Sequence, residues 1–365
     1  MKIAQLLNKE NNNLDLARII LACLVIVGHS EAINGGGDWI DPIRYFFGFT
    51  YSGAFAVKLF FFISGLVVTN SYLSKNDGVY FIFSRIFRIM PALLFVLILT
   101  VLIFGVVLTK LSPSDYFTDL QWLSYIIHNM FFYTDYILPG VFDQNLYPNI
   151  VNGSLWSLRY EVGCYVILFF LFVSLGNKGR NYFILPILLI AIDSLLPTRF
   201  ILKFIDDNPE KYLLPLCFAY GAFLAIFSKE ITVNIYTALG GILLFVMLQN
   251  TNYIEIGLIF ASCNVLLYLS SIKIVLKLKP KYDISYGIYL WGFLIQQTIF
   301  HYLGQIFIGF HCVIALFISI LLALFTFVFI EKPFIKIGKS VINYAHTKNL
   351  LDINCLQFIN KKRIK

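Results

Sequence analysis

Arg18 and His29 lie eleven residues apart in the apolar stretch Leu14 to Ser30, LDLARIILACLVIVGHS. Eleven residues make about 1100° of α-helix, roughly 20° from a whole number of turns, and about 16 Å of rise. A guanidinium and an imidazole therefore share one face of one helix, one near each end. Ionisable groups inside a bilayer are costly and mark functional sites. An imidazole, with an ordinary pKa of about 6.5, suits general-base work on a hydroxyl. The competing account is a histidine hydrogen-bonded to a neighbouring span. In that account Asp15, three residues before Arg18, supplies a local ion pair.

Further groups of this kind follow along the chain. Lys58 precedes FFFISGL, where Ser64-Gly65 in mid-helix permits close helix approach. Lys58 can also snorkel outward to the interface. Arg85 and Arg88 in FSRIFRIMP stand at i,i+3 on one helix face, suited to bidentate phosphate binding or to plain anchoring at the inner surface. Pro91 loosens the helix beyond them. In NGSLWSLRYE, Ser154 is placed to cap a helix that carries Glu161 about two turns into the membrane, and Trp156 suits the interface. Tyr286, Tyr289 and paired glutamines sit in SYGIYLWGFLIQQ, which also reads as a packed aromatic face. In FIEKPF, Glu331 faces the inner surface and Pro333 stops a helix.

The elements that position these groups are membrane helices. The chain has 365 residues, is 59% hydrophobic and only 13% charged. A soluble domain carries about a quarter charged residues, so the fold class is all-α, a polytopic transmembrane bundle. Ten spans of near twenty residues can be drawn, roughly 14–33, 53–73, 86–109, 155–175, 182–197, 212–228, 231–249, 253–271, 284–303 and 308–330. With a cytoplasmic N-terminus, inner segments hold 20 of the 28 Lys and Arg residues. Outer loops hold five: Arg44, Lys110, Arg199, Lys203 and Lys211. That asymmetry puts both termini inside. The net charge of +8 then suits an inner-leaflet surface and gives no reason to expect nucleic acid. Residues 1–340 form one membrane domain and 341–365 a basic cytoplasmic tail. The outward loop 110–154 carries an apolar patch, Trp122 to Tyr136, that is either interfacial or re-entrant. The six cysteines show no paired motif, and neither a disulfide framework nor a metal site is expected.

Together these residues resemble the acyltransferase-3 family of integral membrane O-acyltransferases. The family's Arg and His in the first span, ten residues between them, are matched by Arg18 and His29. Its FFxxSGF stretch is matched by Phe61 to Leu66, with Leu66 in place of Phe. The twin-Arg RxxR is matched by Arg85 and Arg88, WSLxxE by Trp156 to Glu161, SYxIYL by Ser285 to Leu290, and FIExP by Phe329 to Pro333. The motifs keep the family order from about residue 14 to 334. One departure is Gly292, where many members carry His after YLW; the role of that histidine is either absent here or moved to His301. The version here looks like the subset that decorates surface polysaccharides.

The resemblance implies transfer of an acyl group, usually acetyl, from cytoplasmic acetyl-coenzyme A to a hydroxyl of a cell-surface or lipid-linked glycan, in the cell's inner (plasma) membrane. It implies His29, Glu161 and Arg18 as catalytic residues, His29 and Glu161 converging on the acceptor. Arg85, Arg88 and Arg18 would bind the donor. Asp15, Lys58, Ser64, Trp156, Ser157, Tyr286 and Tyr289 would contact substrate. The rival from another class is a transporter or flippase for a lipid-linked sugar, which leaves the RxxR pair without a purpose and calls for inverted repeats. A non-catalytic scaffold leaves His29 and Glu161 without one.

The topology is directly testable. A reporter fused after Lys339 should read cytoplasmic and one inserted near Gln144 external. A cytoplasmic signal at Gln144 overturns the span count.

Overall fold

The computed structural model describes residues 1–347 apart from 38, 176–179, 197, 199 and 201–208. Arg199, Lys203, Cys355 and most of the expected 341–365 tail lie outside the described residues. Among the described residues the fold is all-helical, with no β-strand. The main helices are α1 (Leu14–Asn34), α2 (Ser52–Lys75), α3 (Gly78–Leu99), α4 (Gln121–Met130), α5 (Trp156–Leu175), α6 (Ile184–Leu195), α7 (Pro209–Ile226), α8 (Ile235–Met247), α9 (Ile254–Ser270), α10 (Ser285–Leu303), α11 (Ile308–Thr326) and α12 (Lys332–Thr347).

Among the described residues five helical segments are long and apolar enough to cross a membrane: Leu14–Asn34, Ser52–Lys75, Gly78–Leu108, Gly153–Ser174 and Ile308–Ala345. The apolar helices α6 to α9 are shorter than the roughly twenty residues a crossing needs. Helix α10 has 19 residues but carries Gln296, Gln297 and His301. Exposed large apolar side chains such as Ile20, Val107, Phe170, Phe317 and Leu321 give these helices a lipid-compatible outer surface.

Helix α2 is the buried axis of the bundle; Phe62, Ile63 and Leu66 are wholly enclosed. Its tightest neighbour is α7, and the sequence shows why. A Cβ added at Gly65 would lie 2.1 Å from the Phe218 carbonyl oxygen, and one at Gly221 would lie 2.1 Å from that of Phe62. The two backbones touch through paired glycines, the arrangement small residues permit between membrane helices. The Ser64-Gly65 reading is right on this point.

Two expectations about prolines and ends are corrected. Pro333 does not stop the last helix. A π-helical turn over Phe327–Glu331 absorbs the register change, and α12 continues with Pro333 in its first turn, where a missing N–H costs little. The boundary drawn at 340 therefore falls inside a helix. Pro91 lies within α3, as the loosening reading allows. The apolar patch Trp122 to Tyr136 contains the ten-residue amphipathic α4, with Tyr125 and Asn129 buried and Leu123 and Ile127 exposed. The rest of the 110–154 loop is tied to α10: Asn145 Nδ2 donates to Gln297 Oε1 at 2.9 Å, Gln297 Nε2 to the Tyr147 carbonyl at 2.7 Å, and Asn152 Nδ2 to the Leu290 carbonyl at 2.8 Å. Asn152 also accepts from the Ser154 N–H, so Asn152 and not Ser154 caps the turn that enters α5.

The α2–α7 contact yields a stability test. Gly65→Ala should destabilise the detergent-solubilised protein by roughly 1–3 kcal/mol, the usual cost of overpacking. Gly163→Ala, at an open helical site with nothing within 4 Å, should be neutral or slightly stabilising. Equal apparent melting temperatures for the two variants contradict the close approach.

Candidate functional site

Helices α1, α2, α3, α5, α10 and α12 enclose a cavity of about 700 Å³. Its wall on α2 is the stripe Val57, Phe60, Phe61, Ser64, Val67, Ser71 and Lys75, the i, i+3, i+4 spacing of one helix face. From Val57 to Lys75 that stripe rises about 27 Å. Lys9, Lys75, Lys281 and Lys339 line the cavity's mouth, at the end of the bundle that holds the amino terminus, and Arg18, Arg85 and Arg88 lie deeper. Against these seven cations stand three lining carboxylates, Asp15, Glu161 and Asp283. The surplus of positive charge suits an anionic ligand.

The arginines divide into two kinds. Arg88 Nη2 donates to Asp283 Oδ2 at 3.0 Å, and its Nη1 lies 3.0 Å from Glu331 Oε2. Arg18 Nη1 shares the same Asp283 oxygen at 3.3 Å and stands 4.0 Å from Asp15. Arg85, by contrast, has no ion pair or hydrogen bond among the described residues, although it lines the cavity. The twin-Arg pair is thus not equivalent: Arg88 is engaged by protein carboxylates, and Arg85 bonds none among the described residues.

Asp283 is a residue that reading by motif misses. It sits two positions before Ser285, whose N–H and hydroxyl both bond its Oδ1. Burial pushes its carboxyl up, but Arg88 and Arg18 outweigh burial and hold it below the usual carboxylate range. The sequence signal was an acidic residue directly before SYGIYL. Glu331 is buried, at 1% exposure, and does not face the inner surface as expected; it serves Arg88 instead.

Mid-cavity, Ser64 Oγ donates to Glu161 Oε1 at 2.8 Å, and Tyr165 binds both partners, its hydroxyl donating to Glu161 and lying 2.6 Å from Ser64 Oγ. At the outer end, Ser157 Oγ meets the Tyr289 hydroxyl at 2.6 Å, and that hydroxyl donates to the Ser154 carbonyl. Tyr286 lines the cavity and donates to the Ile89 carbonyl at 3.2 Å.

Among the expected site residues, Asp15, Arg18, Ser64, Arg85, Arg88, Ser157, Glu161, Tyr286 and Tyr289 are brought together in this one cavity. His29, Lys58 and Trp156 are not among its lining residues. Lys58 does not snorkel; its ammonium is 2% exposed and lies 2.5 Å from Glu255 Oε1 on α9. Trp156 packs edge-on against Tyr160 under the Lys211 ammonium. His301 is exposed at the outer end of α10, beside Phe142 and Tyr302.

His29 is half-buried, with its ring edge-on to Phe293 at 5.1 Å. Its depth follows from its neighbour Gly28, where a Cβ would lie 2.2 Å from the Gly53 nitrogen. Val57, at the cavity's outer end, is four residues and about 6 Å deeper; Ser64, on Glu161, is eleven residues and about 16 Å deeper. His29 therefore stands about one turn beyond the cavity, and the expected convergence of His29 with Glu161 is absent from this arrangement.

Comparison with known proteins adds a family. A family model described as an acyltransferase domain matches residues 11–330. An O-acetyl transferase of Shigella phage Sf6 is 28% identical over 303 residues, covering 80% of this chain and 86% of that protein. Nodulation protein 10 of Rhizobium leguminosarum bv. viciae is 24% identical over 368 aligned positions, covering 91% of this chain and 95% of its own. No solved structure matches.

The Asp283 bridge predicts a pH-dependent stability. Because the folded carboxyl is held low, its contribution is present above about pH 4 and fades as pH falls through the lower folded value. Asp283→Asn should cost on the order of 3 kcal/mol at neutral pH, since it leaves two inward guanidiniums short of charge. The gap between wild type and variant in apparent melting temperature should narrow in acid. A gap that is constant from pH 7 to pH 3.5 refutes the electrostatic account.

Proposed function

The chain belongs to the acyltransferase-3 family, and from that premise we propose that it moves an acetyl group from cytoplasmic acetyl-coenzyme A to a hydroxyl of a cell-surface or lipid-linked glycan. The single observation that carries the donor half is Arg85, a guanidinium turned into a long basic cavity with no protein counter-charge bonded to it. A cation in such a place is costly until an anion joins it, and Arg grips phosphate oxygens in a bidentate fork. Lys9, Lys75, Lys281 and Lys339 at the mouth are placed for the remaining phosphates. The acceptor is assigned to the opposite side, toward His29. The activity named for the Sf6 relative, O-acetyl transfer, supports acetyl as the group and oxygen as the acceptor atom.

In this reading Arg85 holds donor phosphate and Glu161, with Ser64 and Tyr165, lines the path of the arm. The Ser157 and Tyr289 hydroxyls meet the thioester at the outer end of the cavity. His29, one turn further out, takes the proton of the acceptor hydroxyl. The acceptor oxygen bonds the carbonyl carbon, the carbon–sulfur bond breaks, and the proton ends on the departing thiol.

The orientation proposed is multi-pass in the inner membrane with both termini cytoplasmic. In its support, the amino terminus, the 228–233 turn, the 270–281 segment and the basic mouth share one end of the bundle. The Met1 ammonium donates to the Val233 carbonyl at 2.8 Å and Asn13 Nδ2 to the Val275 carbonyl at 2.7 Å.

Two substitutions test the two halves. Arg85→Ala should weaken coenzyme A binding roughly tenfold or more, the loss of a charged contact worth about 1.5–3 kcal/mol, with an unchanged helical spectrum. Unaltered affinity in folded protein removes Arg85 from the donor site. His29→Ala should keep donor binding but slow glycan acylation by roughly 10²–10⁴, and His29→Gln, which cannot take the proton at neutral pH, should be nearly as slow. Near-normal turnover by the Gln variant reduces His29 to a hydrogen-bonding role.

A further inference from the structure

The end of the cavity away from its lysines is lined last by Val57 and Phe60 on α2, Ser157 on α5 and Tyr289 on α10. The Phe60 ring meets the Tyr289 ring edge-on, centroids 6.3 Å apart at 72°. Toward that end the helices also approach one another closely. An added Cβ would come within 2.2 Å of the Gly53 backbone at Gly28, within 2.6 Å of the Phe293 ring at Gly153, and within 2.7 Å of the Ile26 side chain at Gly292. Interiors of this density resist insertion of extra methylenes.

The four wall residues are not equally able to yield. Tyr289 is pinned by its bonds to Ser157 and to the Ser154 carbonyl. Val57 is 5% exposed and already short. Phe60 is only partly buried, and its ring reaches into the cavity with no polar tether. It is the side chain whose size decides how far an acyl chain extends past the thioester.

We propose that Phe60 is the acyl-chain ruler of this transferase, restricting the donor to short acyl groups of the acetyl class. The inference rests on the donor reading above and goes past it, because phosphate capture by Arg85 says nothing about the acyl chain. An acetyl group ends at the Phe60–Tyr289 edge; a six-carbon chain has to displace the Phe60 ring or spread the closely approaching helices near it.

The test is a binding series on the full-length protein in lipid nanodiscs, with coenzyme A, acetyl-coenzyme A and hexanoyl-coenzyme A competing against labelled coenzyme A. Wild type should bind the first two within about threefold of each other and hexanoyl-coenzyme A roughly tenfold or more weakly, the overpacking cost expressed as affinity. Phe60→Ala should bring hexanoyl-coenzyme A to within about threefold of acetyl-coenzyme A while leaving coenzyme A itself unchanged. Val57→Phe, which thickens the same wall, should weaken acetyl-coenzyme A roughly tenfold relative to coenzyme A. Wild type that binds hexanoyl- and acetyl-coenzyme A alike overturns the ruler and leaves the donor site standing, as does a Phe60→Ala variant that binds coenzyme A normally but keeps the discrimination. Folded wild type that binds neither coenzyme A nor any thioester overturns the donor reading and this inference with it.

Discussion

The arrangement depends on one carboxylate. Asp283 bridges Arg18 on α1 and Arg88 on α3 from the start of α10, and Arg88 carries the connection to Glu331 at the π turn after α11. Four elements of the bundle meet through this chain of opposite charges. Buried pairs of this kind seldom add net stability over an apolar packing, but breaking one leaves a charge without compensation. Their consequence here is register. They set the depth of α1 and α3 against α10, and so decide which arginine is spent on structure and which is left facing the cavity.

Much of the site was legible because membrane chemistry makes polar residues conspicuous. Glu161, Arg85, Arg88 and Arg18 stood out against apolar surroundings, and each lines the cavity. The all-helical fold followed from composition. What could not be read was pairing across the bundle. Lys58 looked free to reach the interface, yet its partner Glu255 lies 197 positions away on α9. The two arginines of RxxR looked alike because helical periodicity treats i and i+3 as one face; only the neighbouring helices tell them apart. His29 shares a helix face with Arg18, as the spacing required, but a face does not specify depth relative to another helix. The depth came from Gly28 against Gly53, a contact between residues with no side chain to advertise it. Pro333 misled for a related reason: a π turn just upstream supplies the slack that an ideal helix lacks.

Gly292 shows how a departure from a family pattern is absorbed. Many relatives place a histidine there, but in this chain the Ile26 side chain fills the space that a Cβ would need. Helices α1 and α10 close up at that level, and Gln296 bonds the Ile26 carbonyl at 2.9 Å and Ser30 at 2.7 Å just above it. His301 is exposed toward the C-terminal end of α10.

A cavity with four lysines toward one end sorts ligands by charge before it sorts them by shape. Neutral solutes gain nothing from that field, whereas an anion is concentrated at the lysines before it meets the arginines, and this advantage shrinks as ionic strength rises.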